Sequence, residues 1–431
     1  MIVRLKKRLG GVYLEKNKVT LEKMTEKIPL PKEVILPMNM HAGKPAKVNV
    51  EEGDQVKIGS LIGKKDGFIS ANIHSSIAGK VKKIEQMVIG SKKTDVVVIE
   101  NDFTEQISHS FLGNATLDAV ISDKGIIGMG GAGFPTNVKF LLKEGQKITK
   151  LIINAAECEP FVTADQRVIL EKTDDFLSGI QLILDVYNIP NATIAIEKHS
   201  KETINILLNS ITDDRISVKV LKNYYPQGAE KVLIKNILKK ELPLGKLPID
   251  LETVILNAST IYSIYNAVEN NFTLMERVVT VSGLPLKESK NLKVRIGTPI
   301  EYLIEACGGF VEAPSKILNG GPMMGKLVHS LNEPVTKTTN LISVLNSYQT
   351  DIPKERPCIK CSECLNVCPM GLSPILISQA YRNNDLYTAE KLGVLSCIDC
   401  GGCSYICPSK IDLLSDIREA KQKVMEKKNG L

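Results

Sequence analysis

The sequence predicts a multidomain α/β protein. It reads as a β-rich N-terminal part, a Rossmann-like α/β middle, a small α+β module and a helical, cysteine-rich end. Three observations carry this prediction. The chain has 431 residues, room for roughly three domains of about 150 residues each. Apolar strand-like runs alternate with helical periodicity between residues 115 and 270. Eight of the ten cysteines fall in "CIKCSECLNVCP" (358–369) and "CIDCGGCSYICP" (397–408).

Composition narrows the function class. Hydrophobic residues make up 43% and charged residues 24%, as in soluble globular proteins. The net charge of +7 is scattered rather than gathered into a basic patch, so nucleic-acid binding is not expected. No apolar run reaches the ~18 residues of a membrane span, and "MIVRLKKRLGG" lacks the apolar core of a secretory signal. The expectation is a cytoplasmic chain that meets a membrane only through partners. The basic end "REAKQKVMEKKNG" reads as a solvated helix face that frays.

Residues 31–100 read as short strands and tight turns. "KPAKVNVEEGDQVKIGSLIG" and "GFISANIHSSIAGKVKKI" alternate apolar and polar positions. This resembles the barrel-sandwich domains that carry lipoyl or biotinyl groups. Those carry a modified lysine at a hairpin tip, whereas Gly67 and Phe68 occupy that context here, so Lys64 and Lys65 are expected to be exposed turn lysines.

In the middle region "KLIIN", "ATIAIEK", "ISVKVLKN" and "LETVILNA" are strand-like. "DQRVILEKTDDFLSGIQLILDVY", "KETINILLNSI" and "GAEKVLIKNIL" between them are helical in period. Such alternation predicts a mainly parallel sheet under helices, with ligands at the carboxyl ends of its strands. "GMGGAGFPTNVKFLL" begins at Gly128, and Gly128, Gly130 and Gly133 satisfy G-x-G-x-x-G. A helix, not a strand, is expected before it, which departs from the usual dinucleotide fingerprint. Its glycines still permit close backbone approach. "PTNVKFLL" predicts a helix start with Pro135 in the first turn, where exposed N–H groups and Lys139 would favour a phosphate. "GGPMMGKL" has a P-loop skeleton at Gly320, Gly325 and Lys326, but Leu327 stands where a Mg²⁺-binding hydroxyl is needed, so nucleotide hydrolysis is not expected.

Each cysteine motif is C-x2-C-x2-C-x3-C-P, the spacing of bacterial [4Fe–4S] ferredoxins, in which the fourth cysteine ligates the other cluster. Cys358, Cys361, Cys364 and Cys407 are expected to hold one cluster, and Cys397, Cys400, Cys403 and Cys368 the second. Zinc sites use separated pairs, and disulfide frameworks belong to small secreted chains. Cys158 and Cys307 are expected to pack as small hydrophobes. His41, His74, His109, His199 and His329 are dispersed and form no spaced ligand pair.

Taken together, "GGAGFPTNVK", "NAAECEP", "YPQGAEKVL" and the two ferredoxin motifs resemble the RnfC family of the Rnf electron-transport complex over nearly the whole chain. The middle is also similar to the NADH-binding flavoprotein subunit of respiratory complex I. The resemblance implies non-covalent FMN, with NADH or NAD⁺ as substrate over the flavin. Residues 1–110 would be the barrel-sandwich domain and 111–272 the FMN/NADH domain. An SLBB β-grasp module would span 273–335 and a double [4Fe–4S] domain 336–431. Gly128, Gly130, Gly131 and Gly133 would form the flavin-phosphate turn, with Lys139 beside it. Asn154, Asn257 and Thr260 would border the flavin. Phe134 would stack on NADH, and Glu157, Glu159 and Glu230 would lie near the nucleotide. No protein side chain is expected to be catalytic, since the flavin takes the hydride. The complex I relatives read "NADESEP", so Ala156 and Cys158 depart from their pattern, and Leu142 stands where they have Phe.

The implied function is the peripheral NADH/FMN/iron–sulfur subunit of an ion-translocating ferredoxin:NAD⁺ oxidoreductase. Its partners would be other Rnf-type membrane and electron-transfer subunits, and its place the cytoplasmic face of the membrane. The alternatives are a related feeder of a cobalamin or amino-acid reductase and, from another class, a non-catalytic iron–sulfur scaffold.

Overall fold

The computed structural model describes residues 10–428 except 91, 109–112, 114 and 352; His109 lies outside the described residues. Four sheets organise the chain. In the N-terminal part, Glu33–Pro37, Lys92–Asn101, Gly79–Ile89 and Gln55–Val56 form one antiparallel sheet, and Lys47–Val48, Leu61–Lys64 and Ile73–His74 a second. Alternation along the strands buries Val34, Leu36, Val97 and Ile99 between the layers, as period-two patterning requires. Lys64 and Lys65 are exposed.

The middle part is a four-stranded, all-parallel sheet in the order Ile216–Leu221, Ala192–Glu197, Lys150–Ala155, Thr253–Asn257. Helices cover it: α1 (Leu117–Asp123), α2 (Ala164–Glu171), α3 (Thr173–Val186), α4 (Lys201–Ser210), α5 (Glu230–Leu238) and α6 (Ala258–Glu269). Ala192–Glu197 is buried at every position, the near-continuous apolar pattern of a strand covered on both faces. The chain runs outward from Lys150–Ala155 and then returns to its other side with Thr253–Asn257. That reversal creates the crevice in which such sheets bind ligands.

A six-stranded sheet follows the order Thr25–Lys27, Lys290–Arg295, Glu276–Ser282, Leu341–Leu345, Lys316–Asn319, Lys326–Leu327. Two of these strands lie outside the span 273–335 expected for this module. Thr25–Lys27 pairs parallel with Asn291–Lys293, and Leu341–Leu345 pairs with both Glu276–Ser282 and Lys316–Asn319. Pairing across long sequence separations is set by backbone bonds that composition does not reveal.

The cysteine-rich end is helical, with Ile377, Ala389, Leu413, Ile417, Ala420 and Val424 in its core. The basic C-terminal helix continues from Leu413 to Lys428 rather than fraying. Residues 413, 417, 420 and 424 form its buried stripe at helical spacing.

Residues 10–27, unread in the sequence, run as a strap across three of these units. Gly10 N donates to Asn366 O (3.0 Å), and Val12 and Tyr225 exchange backbone bonds of 2.8 Å. Lys16 Nζ lies 3.1 Å from both oxygens of the fully buried Glu197. Lys18 Nζ donates to Glu157 O at 2.8 Å. Among the described residues no helix is long and apolar enough to cross a membrane.

Candidate functional site: a glycine turn at the sheet crevice and two cysteine tetrads

The glycine turn closes on itself through a bond from Gly128 N to Phe134 O of 2.8 Å. It is followed by a five-residue 3₁₀ turn, Thr136–Phe140, not by the expected α-helix. The polar run 143–147 offers no apolar face to continue it, and Phe140 instead stacks on Tyr187 with ring centroids 4.3 Å apart. The helix-dipole argument for a phosphate therefore does not apply. Exposed turn backbone remains, since Gly130, Gly131 and Ala132 are exposed, and a Cβ at Gly131 would meet nothing within 4 Å.

Behind the turn, Asn154 and Asn257 sit side by side in register at the carboxyl ends of adjacent parallel strands. A Cβ on Gly130 would lie 2.4 Å from Asn257 Nδ2, so glycine is required for this approach. Asn257 Nδ2 donates to Asp165 Oδ2 (2.5 Å), and Ser259 Oγ donates to the other oxygen of the same carboxylate. Asn154 Nδ2 donates to Gly228 O (2.9 Å), and its Oδ1 accepts from Ala156 N (3.1 Å). Thr260 is fully buried. Its Oγ1 accepts from Met129 N (3.0 Å) and donates to Ile127 O (3.3 Å), which supports the turn from below.

The turn is held by parts of the chain far apart in sequence. Ala42 N donates to Gly133 O (2.9 Å). Gly133 has φ +70°, and a Cβ there would lie 2.9 Å from Thr338 Cγ2. The buried Arg277 guanidinium donates to Met129 O (3.4 Å) and Lys337 O (2.5 Å). Lys337, itself 1% exposed, donates from Nζ to Asn72 O (2.6 Å) and Gly125 O (2.7 Å). Burial pushes this ammonium down to about 7. Asp165, Arg277 and Lys337 were not singled out in the sequence. Their only sequence signals are an acidic residue at a helix start and a lysine in "PVTKTTN".

Four expected contacts are arranged as follows. Phe134 is half-buried at the turn. Lys139 Nζ donates to Ile255 O (2.8 Å) and lies 3.5 Å from Glu230 Oε1, so Lys139 and Glu230 meet beside the strand end. Glu157 is buried, and its two oxygens accept from Asp165 N (2.8 Å) and Gln166 N (3.2 Å) at the start of α2. Burial, then the charge of Asp165, raise it to about 7. Glu159 Oε2 accepts from Met323 N (3.1 Å), while its Oε1 is buried with no partner. Burial raises this carboxyl to about 7 as well. "GGPMMGK" thus receives a role unrelated to a P-loop. A Cβ on Gly321 would lie 2.3 Å from Glu159 Oε2, so this loop seats Glu159.

The cysteines fall into two crossed tetrads. Cys364 feels the charges of Cys361, Cys407 and Cys358, whereas Cys403 feels those of Cys400, Cys397 and Cys368. Burial pushes Cys397 and Cys403 up to about 12, so taking up iron must displace protons. Among the described residues no three His, Cys, Asp or Glu side chains converge as they would around a lone metal ion; the tetrads are wider groupings. The second tetrad touches the α/β unit. Tyr225 Oη donates to Cys400 O (2.7 Å), and Cys158, Tyr225, Val12 and Cys400 share one apolar cluster with Met323 against it. Lys421 Nζ donates to Cys397 O (2.8 Å). In the first tetrad, by contrast, Cys361 is exposed. Cys307 is buried in the core of the six-stranded sheet. The donor sets fit the implied groups: eight thiols in two fours, and an open glycine turn over paired asparagines at the strand ends.

Comparison with known proteins places these parts in families. Residues 6–104 match the RnfC barrel sandwich hybrid domain, 121–266 the Nuo51 FMN-binding domain, 278–327 the SLBB domain and 357–411 a 4Fe-4S dicluster domain. The fold is similar to a chain of an NAD⁺-reducing [NiFe]-hydrogenase in the air-oxidized state. The TM-score is 0.52 at 15% identity, over 72% of this chain and 62% of that one. The chain is 40% identical over 397 residues to the RnfC protein of the proton-translocating ferredoxin:NAD⁺ oxidoreductase complex of Clostridium ljungdahlii, covering 90% of this chain and 87% of that one. It is 35% identical over 431 residues to the Na⁺-translocating counterpart of Acetobacterium woodii, covering 96% of each. With likeness of this degree along nearly its full length, the chain belongs to the RnfC family of the ion-translocating ferredoxin:NAD⁺ oxidoreductase complexes.

Proposed function

We propose that this chain is the peripheral subunit that passes electrons between NAD(H), FMN and two [4Fe–4S] clusters in such a complex, held on the cytoplasmic face of the membrane by companion subunits. One observation carries the reading. The glycine turn with its asparagine pair and the second cysteine tetrad lie at the same end of one parallel sheet, joined through Cys158, Tyr225 and Met323. A flavin supplies the chemistry this needs, accepting electrons in pairs from nicotinamide and passing them singly.

The residues have separable tasks. The exposed backbone of Gly130–Ala132 approaches the flavin phosphate, and Asn257, fixed by Asp165, bounds it from the strand side. Cys358, Cys361, Cys364 and Cys407 hold one cluster; Cys397, Cys400, Cys403 and Cys368 hold the other, against the α/β unit. The second tetrad is the inner station. The first, with Cys361 at the surface, is the outer one, where a partner exchanges single electrons.

The test is anaerobic reconstitution with FMN, iron and sulfide, followed by NADH titration in the visible range. Flavin and cluster absorbance should both bleach. A protein that retains its iron but binds no FMN, or whose spectrum NADH leaves unchanged, would be a scaffold and the reading would fall.

A further inference from the structure

The barrel-sandwich part does more than pack. Its segment 41–44 is bonded to the glycine turn at Gly133, and a Cβ on Gly133 would lie 3.3 Å from His41 Cα. The hairpin tip lies directly on that segment: Lys44 N donates to Ile69 O (2.9 Å), and a Cβ on Gly43 would lie 2.1 Å from the same oxygen. The tip is fastened at several further points. Lys65 Nζ donates to Ser122 Oγ (2.6 Å) and Asn72 Nδ2 to Asp123 O (3.2 Å), both at the end of α1. Lys44 pairs with Asp66 (2.7 Å), and the buried Lys337 ties Asn72 to Gly125.

On this clamped backbone Phe68 is 70% exposed. An aromatic ring held in water on a fixed base gains nothing for the fold by its exposure. It is suited to stacking on a planar ligand. Its place is the rim next to Gly133, outboard of the open backbone of 130–132. A dinucleotide whose nicotinamide lies at the strand ends must leave the crevice over some part of its rim, and this rim carries an aromatic platform.

We propose that Phe68 is the outer wall of the NADH site and stacks on the adenine half of the dinucleotide, so that the barrel-sandwich part sets nucleotide affinity. This rests on the function proposed above. The test uses the full chain loaded with FMN and both clusters, and ADP-ribose as the probe of the outer half, measured by its competition with NADH in a fluorescence titration. Phe68→Ala should weaken ADP-ribose roughly tenfold, Phe68→Tyr should restore it, and reduced nicotinamide mononucleotide, which lacks adenine, should bind wild type and Phe68→Ala alike. FMN content and the melting curve report that the variant is intact. ADP-ribose affinity unchanged in Phe68→Ala overturns the inference while leaving the proposed function standing, as does equal weakening of the mononucleotide. A wild-type protein that binds neither FMN nor NADH removes both.

Discussion

The glycine turn offers a sharp test, because two neighbouring glycines should fail in opposite ways. In Gly130→Ala the new methyl carbon would lie 2.4 Å from Asn257 Nδ2 and 2.9 Å from its Cγ. Asn257 has little freedom to yield, since Nδ2 donates to Asp165 (2.5 Å) and Oδ1 accepts from Thr260 N (3.3 Å). Overpacking costs roughly 1–3 kcal/mol, and breaking the bond to the carboxylate instead costs about 1.5–3 kcal/mol. Restricting the unfolded chain returns about 0.4–1 kcal/mol. The net is a loss of roughly 2 kcal/mol, about 5 °C in melting for a unit of this size. In Gly131→Ala the methyl meets nothing within 4 Å, so the apoprotein should melt like wild type. There the methyl intrudes on the flavin phosphate, and FMN affinity should fall at least about tenfold. The assays are thermal unfolding of the apoprotein and FMN titration by fluorescence quenching. If Gly130→Ala melts as wild type, the close approach to Asn257 is misread. If Gly131→Ala binds FMN normally, this turn is not the flavin cradle.

Two further outcomes follow from the tetrads and from Glu159. Cys407→Ala should lose about half of the iron, from the cluster of Cys358, Cys361 and Cys364, and keep the one that uses Cys368; iron lost instead from the Cys397 motif, seen by site-resolved EPR, would contradict the crossing. Glu159 has its carboxyl raised from 4.5 to about 7 by burial, so the folded chain holds a proton that the unfolded chain has released between those values. Wild-type apoprotein should therefore lose stability relative to Glu159→Gln as pH rises from about 4.5 through about 7, by on the order of 3 kcal/mol. A stability difference flat across that window, in denaturant unfolding, would refute the assignment.

What the sequence by itself determined is what local spacing encodes. The doubled cysteine motif implied two clusters with exchanged fourth ligands, because three close thiolates and one distant one cannot all reach one cube from a single loop. The alternation of strand and helix periods between 150 and 257 gave the parallel sheet and the end at which Asn154 and Asn257 stand. Local reading failed where a residue's partner is remote. "PTNVKF" has a helix's composition, but Phe140 found Tyr187 and the segment stopped as a 3₁₀ turn. Glu157 looked like a ligand-facing carboxylate beside Glu159, and only the packing of α2 engages both its oxygens. The tertiary structure alone decided which tetrad faces the sheet, through Tyr225 and Cys158. It also decided that a buried lysine and arginine, 337 and 277, hold the glycine turn from another module, and that the barrel tip with Phe68 lies at its rim. Those decisions rest on hydrogen bonds and close contacts between residues a hundred or more positions apart, and no window of sequence contains both ends of such a contact.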